Sequence, residues 1–128
     1  MLRGIRGATT ATSNCKKDII EASEELLSQM FVQNSVDSET VACIIFSSTA
    51  DLDTAYPATA ARNLGLLKVP LFGTQEANVR NGLSKCIRVL MLVNTERTQE
   101  EINHVYIGRA CVLRQDLPQR SLEKGEGY

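Results

Sequence analysis

The segment Cys86-Ile-Arg-Val-Leu-Met-Leu-Val93 decides the fold, because seven of its eight residues are apolar and predict a well-buried strand. Arg88 lies inside this run, although its guanidinium group stays charged at any ordinary pH. An uncompensated buried charge is costly, so the arginine needs an anionic partner or a route to solvent. A structural ion pair and a contact to a ligand carboxylate both satisfy that need, and the residue alone leaves both open.

The side chains of this strand alternate between two faces, because successive residues of a strand point in opposite directions. One face carries Arg88 together with Cys86, Leu90 and Leu92. The other face is entirely apolar and consists of Ile87, Val89, Met91 and Val93.

The rest of the chain predicts further strands and helices around this one. A stripe of apolar residues at a helical period, with charged residues outside it, indicates an amphipathic helix over 16–33. The predicted strands cover 2–10, 41–46 (buried on both faces), 68–72, 86–93 and 105–114, and shorter helices cover 58–64 and 98–104. This order predicts an α/β (α+β) domain with a mixed β-sheet packed against helices, formed by residues 1–117, and a mobile tail over 118–128.

Composition narrows the function class. The chain has 128 residues and a formal net charge of -1, so it carries no overall field that favours nucleic acid or an anionic membrane. The sequence shows neither a transmembrane span nor a signal peptide, which predicts a cytoplasmic protein. Four dispersed cysteines indicate small buried thiols, and a single histidine disfavours both a zinc site and a Ser/His/Asp triad.

Several charged or polar residues fall at strand ends or beside glycines, where they can reach a cleft. These residues are Arg6, Glu76, Tyr106 and Arg114. Each alone is more often structural, but together with Arg88 they would form a pocket rich in guanidinium groups that suits a small dianion bearing a hydroxyl group. Because the set contains no histidine base and no activated nucleophile, it predicts charge stabilisation rather than proton transfer or covalent chemistry.

At these residues the sequence resembles a known family. The stretches LRGIRGATT, SSTADLDTAYPATAARNLG, VPLFGTQE, KCIRVLMLV and HVYIGRACVLRQDL are similar, in order and spacing, to the small single-domain chorismate mutases of bacteria, the trimeric mixed α/β class. The resemblance implies the rearrangement of chorismate to prephenate in phenylalanine and tyrosine biosynthesis, without a cofactor or metal. It also implies a homotrimer shaped as a pseudo-α/β-barrel, with active sites at the subunit interfaces.

The same resemblance assigns roles to individual residues. Arg88 matches the family arginine facing the substrate ether oxygen, Glu76 the carboxylate that holds the ring hydroxyl, and Arg6 an arginine that binds a substrate carboxylate. The other implied substrate-binding residues are Tyr106, Phe72, Gly73, Thr74, the closing residues Leu113 and Arg114, and, from the neighbouring subunit, Tyr56, Ala58, Thr59 and Arg62.

Three of these positions depart from a better-known relative. Gly73 stands for a cysteine, Tyr56 for a phenylalanine and Thr59 for a lysine. These changes are expected to alter details of binding rather than the class of reaction.

Two alternative functions fit a small α/β domain with arginine-bearing clefts. One is an imine or enamine deaminase of the small trimeric type, which needs a site that activates water. The other is a non-enzymatic module that binds a carboxylate metabolite between subunits.

Overall fold

The described part of the computed structural model covers residues 1–116, with side chains described through Leu113. The tail predicted over 118–128 lies outside the described residues. The strands are β1 (Leu2–Thr10), β2 (Val41–Ser48), β3 (Leu71–Gln75), β4 (Cys86–Asn94) and β5 (Val105–Tyr106), and the α-helices are α1 (Lys16–Gln33) and α2 (Thr59–Asn63). Three 3-10 segments cover Ser38–Thr40, Gln99–Glu101 and Gly108–Asp116.

The five strands form one mixed sheet in the order β3-β2-β4-β1-β5. The apolar strand β4 lies at its centre and runs antiparallel to both neighbours, β1 and β2. The outer strands are parallel to theirs, β3 to β2 and β5 to β1. The predicted fold class, a mixed sheet packed with helices, is confirmed.

One face of the sheet is closed by α1. The wholly apolar side of β4 faces this helix, and Ile87, Val89, Met91 and Val93 are all buried. Gly7 of β1 allows the close approach, because an added Cβ there would lie 2.5 Å from Sδ of Met30. The core therefore lies between α1 and this side of the sheet, and the side of β4 that carries Arg88 faces away from it.

The prediction of a long final strand over 105–114 is wrong. The strand ends after Tyr106, and the chain turns into the 3-10 segment Gly108–Asp116. Gly108 makes the turn with a φ of 61°, a conformation that glycine adopts without strain. The N–H of Arg109 then donates to the side-chain hydroxyl of Thr10, at the end of β1, instead of to a neighbouring strand. The alternating residues of 107–113 reflect packing of this segment rather than a strand.

Other boundaries shift for local reasons. The expected helix over 98–104 is a single 3-10 turn, Gln99–Glu101; its capping box is present, but Asn103 leaves the helix to donate its N–H to the side chain of Asn34. β3 starts after Pro70 and continues through Gly73, which was expected to end it. The predicted helix over 58–64 shortens to α2 at Thr59–Asn63.

The prediction that β2 is covered on both faces is also wrong for a single chain. Ile44 and Phe46 are buried against the core, whereas Cys43, Ile45 and Ser47 on the opposite face are only half-buried. Within the described residues, no helix is long and apolar enough to cross a membrane.

Candidate active site

The face of the sheet opposite α1 carries a cluster of polar and charged side chains. Strand register brings them together: Ala8 of β1 and Ser47 of β2 lie on either side of Arg88 in β4. Two pairs further along, and therefore on the same face, Arg6 of β1 lies opposite Leu90. Because paired residues share a face, the two arginines project from neighbouring strands to the same side of the sheet.

These side chains surround an open cavity of about 320 Å³. That volume lies near the lower end of the range for small-molecule sites, roughly 300 to 1,000 Å³. The lining residues are Arg6, Gly7, Ile45, Ser47, Arg88, Val89, Leu90 and Tyr106. The cavity thus combines two guanidinium groups, a phenol and a hydroxyl with an apolar wall.

Arg88 has an anionic partner and still reaches the cavity. Its Nε atom is buried and lies 3.1 Å from Oε2 of Glu76, but the geometry does not make a hydrogen bond. The side chain as a whole is 42% exposed, so the exposed surface belongs to its other atoms. The sequence posed a structural ion pair and a ligand contact as alternatives, and the geometry is compatible with both at once.

Glu76 is held in place by the end of β2. Its backbone N–H donates to the carbonyl of Ser48 at 2.8 Å, and the hydroxyl of Ser47 donates to Oε2 at 3.0 Å. The side chain of Glu76 is 25% exposed. The carboxylate is therefore fixed beside Arg88 and Ser47, which line the cavity, and is partly exposed, although Glu76 itself is not among the lining residues.

Arg6 and Tyr106 form a second pair on the other side of the cavity. Cζ of Arg6 lies 5.6 Å from the centre of the Tyr106 ring, within the range of a cation–π contact. The ring packs in a small cluster with Ala8 and Ala110, and Leu113 packs against that cluster. The C-terminal 3-10 segment therefore supports Tyr106 from behind.

The predicted residues of β3 lie beside the cavity rather than in its lining. Phe72 pairs with Ile45 and Thr74 pairs with Ser47, so both share the face of the cavity. Phe72 is 65% exposed. An added Cβ on Gly73 would meet nothing within 4 Å, so the absence of a side chain there leaves open space.

The residues expected from a neighbouring subunit are not part of the cavity of their own chain. Tyr56 is 81% exposed, and Arg62 is also exposed. Ala58 is partly buried and packs against the hydrophobic core. Thr59 is the first residue of α2. The side chain of Arg114 lies outside the described residues.

The site offers electrostatic stabilisation and hydrogen bonding. Cys86, on the same face of β4 two residues before Arg88, is 2% exposed, and burial raises the pKa of its thiol despite the nearby guanidinium. The neutral thiol is a poor nucleophile at neutral pH. The arrangement therefore suits binding of a small anion and stabilisation of developing charge.

Sequence reasoning missed two contributors to the site. Ser47 orients Glu76, and the ring of His104 contacts the main chain of Arg6. The signal for Ser47 was its place at the end of an apolar strand, where a hydroxyl group breaks the run of apolar side chains. No local pattern pointed to His104.

Known proteins are similar to this chain in both sequence and fold. A family model described as "Chorismate mutase type I" matches residues 2–117. The chorismate mutase AroH of Bacillus subtilis is 42% identical over 118 residues, which are 91% of this chain and 93% of that protein. The chorismate mutase AroH of Thermus thermophilus is 44% identical over 118 residues, which are 91% of this chain and 97% of that protein.

A solved structure extends the similarity to three dimensions. The chorismate mutase from Clostridium thermocellum superposes with a TM-score of 0.85 at 42% sequence identity. The match covers 86% of this chain and 98% of that one. Neither the deaminase nor the metabolite-binding alternative is supported by these similarities.

Proposed function

This chain belongs to the chorismate mutase type I family and is an isomerase of aromatic amino acid biosynthesis, and we propose that it rearranges chorismate to prephenate in the cavity between Arg88 and Arg6. The observation that carries the proposal is the position of Arg88. Its Nε is buried beside Glu76, and the rest of its side chain is open to a cavity that a second arginine also lines.

The chemistry needs a fixed positive charge at one place. In the concerted [3,3] shift the carbon–oxygen bond breaks ahead of carbon–carbon bond formation, so negative charge develops on the ether oxygen and positive charge on the ring. A guanidinium group held near that oxygen interacts more strongly with the transition state than with the substrate, which lowers the barrier. We assign this role to Arg88.

The remaining contacts would hold the substrate in its reactive shape. Glu76 would accept a hydrogen bond from the ring hydroxyl and face the positive ring, while Arg6 and Tyr106 would bind carboxylate oxygen atoms. Holding the flexible side chain folded over the ring removes much of the entropic part of the barrier. No proton transfer, metal or cofactor enters this scheme.

Charge balance favours a site completed by a second copy of the chain. Among the described side chains, Arg6 and Arg88 line the cavity as cations and Glu76 lies beside Arg88 as an anion, so these charges sum to +1 for a substrate with two carboxylates. Arg62 is exposed on α2 and would supply another cation from a neighbouring subunit.

The apolar surface beside the cavity supports the same proposal. Phe72 is 65% exposed and Leu90 is 36% exposed, and both lie on the face of the sheet that α1 leaves uncovered. Exposed apolar surface of this kind typically marks a protein interface. We propose a homotrimer that places Tyr56, Ala58, Thr59 and Arg62 of one subunit against the cavity of the next, in the cytoplasm.

A subunit-mixing experiment tests the shared site. Arg88→Ala and Arg62→Ala each remove one wall of every cleft, so each variant alone is expected to lose chorismate turnover. When the two are unfolded and refolded together, some clefts combine an intact Arg88 wall with an intact Arg62 wall, and part of the activity returns.

The control for this experiment mixes the two folded variants without refolding, which should restore much less activity at first. If co-refolded protein stays inactive although mass measurement shows mixed trimers, both walls belong to one subunit and the shared-site proposal is wrong. Failure of the wild-type protein to convert chorismate to prephenate would overturn the proposed function itself.

A further inference from the structure

His104 contacts the main chain of a proposed substrate-binding residue. The backbone N–H of Arg6 donates to Nδ1 of His104 at 2.9 Å, across 98 residues of sequence. Arg6 lies opposite Leu90 of β4 in the antiparallel ladder, and its N–H points away from that strand toward β5. The imidazole therefore accepts a hydrogen bond where a neighbouring strand would otherwise provide a carbonyl.

The adjoining strand is too short to provide that carbonyl. β5 pairs with β1 at two positions only, Gly7 with Val105 and Ala8 with Tyr106. Beyond them the N–H of Ile107 donates to the carbonyl of Ala8. The side chain of His104 thus extends the β1–β5 ladder by one bond, toward Arg6.

The same residue is linked to both members of the cation–π pair. It binds the backbone of Arg6 and precedes Tyr106 by two residues, and the Arg6 guanidinium lies 5.6 Å from the Tyr106 ring centre. Movement of β1 relative to β5 at this point would change the distance between the two groups. The His104 contact therefore acts together with the β1–β5 pairing to set the relative position of one wall of the cavity.

We propose that His104 is a positioning residue for catalysis, which acts by holding the main chain of Arg6 through its unprotonated Nδ1. An imidazole nitrogen that accepts a hydrogen bond from an N–H carries no proton, so the neutral ring has its proton on Nε2. The inference rests on the proposed function only in that Arg6 is taken to bind the substrate.

A matched pair of variants isolates the acceptor. His104→Asn keeps an acceptor oxygen near the position of Nδ1, whereas His104→Leu has a similar size and no acceptor. We expect His104→Leu to lower kcat/KM by about 10- to 100-fold, because a displacement near 1 Å at a binding group can reduce the rate on that scale. His104→Asn is expected to retain kcat/KM within about threefold of the wild-type value, since it preserves the hydrogen bond.

A double-mutant cycle with Arg6→Ala distinguishes positioning from general support of the fold. If His104 acts through Arg6, the loss caused by His104→Leu shrinks to about twofold or less in the Arg6→Ala background, because coupled residues are not additive. An equal loss in both backgrounds overturns the proposal, and so does a His104→Asn variant as impaired as His104→Leu.

A measurement independent of catalysis completes the test. His104 is the only histidine of the chain, so its ring nitrogen signals in a ¹⁵N NMR spectrum of the wild-type protein are unambiguous. A neutral ring protonated at Nε2 supports the proposal, and one protonated at Nδ1 overturns it, even if His104→Leu fails to fold. Absence of chorismate turnover by the wild-type protein would count against the proposed function and leave this spectroscopic result standing.

Discussion

Replacement of Arg88 by lysine should reduce turnover far more than it reduces affinity or stability. In the native protein Nε is buried 3.1 Å from Oε2 of Glu76, while the exposed 42% of the side chain is available to the cavity. A planar guanidinium group can serve both positions at once, but a single ammonium group cannot. The lysine would therefore either pair with Glu76 or face the substrate oxygen.

The size of the effect follows from these two contacts. Loss of one preorganised donor at a developing oxyanion costs about 3 to 4 kcal/mol, which is roughly 10²- to 10³-fold in kcat. The Arg88–Glu76 pair is partly exposed, and pairs of that kind stabilise the fold by about 1 kcal/mol or less. We therefore expect a large fall in kcat, a small change in KM and a free energy of unfolding close to that of the wild-type protein.

Steady-state loss of chorismate absorbance measures kcat and KM, and urea unfolding measures stability. Arg3→Lys is the matched control, because Arg3 lies on β1, donates through Nε to the carbonyl of Arg97 and does not line the cavity. We expect that control to retain kcat within about twofold. An Arg88→Lys variant whose kcat stays within about tenfold of wild type, with a raised KM instead, would refute the assignment of Arg88 to the transition state.

Two further predictions concern the framework of the site. Gly7→Ala should lower the free energy of unfolding by about 1 to 3 kcal/mol in urea titrations, because its Cβ would lie 2.5 Å from Sδ of the fully buried Met30. Unchanged stability would contradict this and would mean that the Met30 side chain or α1 shifts without cost. Asp51 accepts hydrogen bonds from the Thr49 hydroxyl and the backbone N–H of Lys85. These bonds, above all the one from Thr49, hold the pKa of the Asp51 carboxyl below its ordinary value of 3.8. Because the folded-state pKa is lowered, its stabilising effect is present above pH 3.8 and is lost as the pH falls through the lower folded value. Because the carboxylate is exposed and screened by water, Asp51→Asn should destabilise the protein by less than about 1 kcal/mol at pH 7. The difference should narrow below about pH 4, and a difference that stays constant down to pH 3 would contradict this.

Patterns that are local in sequence predicted their elements well. The helix over 16–33 was placed to the residue as α1, because its apolar stripe repeats over five turns and needs no knowledge of other segments. The alternation of β4 likewise showed that one of its faces is wholly apolar, but the sequence left open which face meets the core; the structure shows that α1 covers the apolar face. The prediction of a last strand over 105–114 failed, because the alternation of side chains in that segment cannot reveal that its partner strand β1 ends at Thr10.

The candidate site shows the same division between features that local sequence patterns predict and features that depend on distant segments. The sequence marked Arg88 as a charge inside an apolar strand, and it marked Arg6, Glu76, Tyr106 and Arg114 as chargeable or polar residues at strand ends or beside glycines. The resemblance assigned these residues roles that remain predictions. Their spatial grouping depends on register between strands that are distant in the chain. The contributions of Ser47 and His104 were missed, because each acts through a contact to a residue far away in sequence.

The sequence by itself determined that this protein has an amphipathic helix, an apolar strand with a permanent cation on its less apolar face, and the family to which it belongs. These properties reside in the order of neighbouring residues. Only the tertiary structure decided that Glu76 is the carboxylate beside Arg88 and that an imidazole from beyond β4 holds the backbone of Arg6. The physical reason is that hydrogen bonds and ion pairs act over about 3 Å, and the register of a folded sheet sets which distant residues come within that distance.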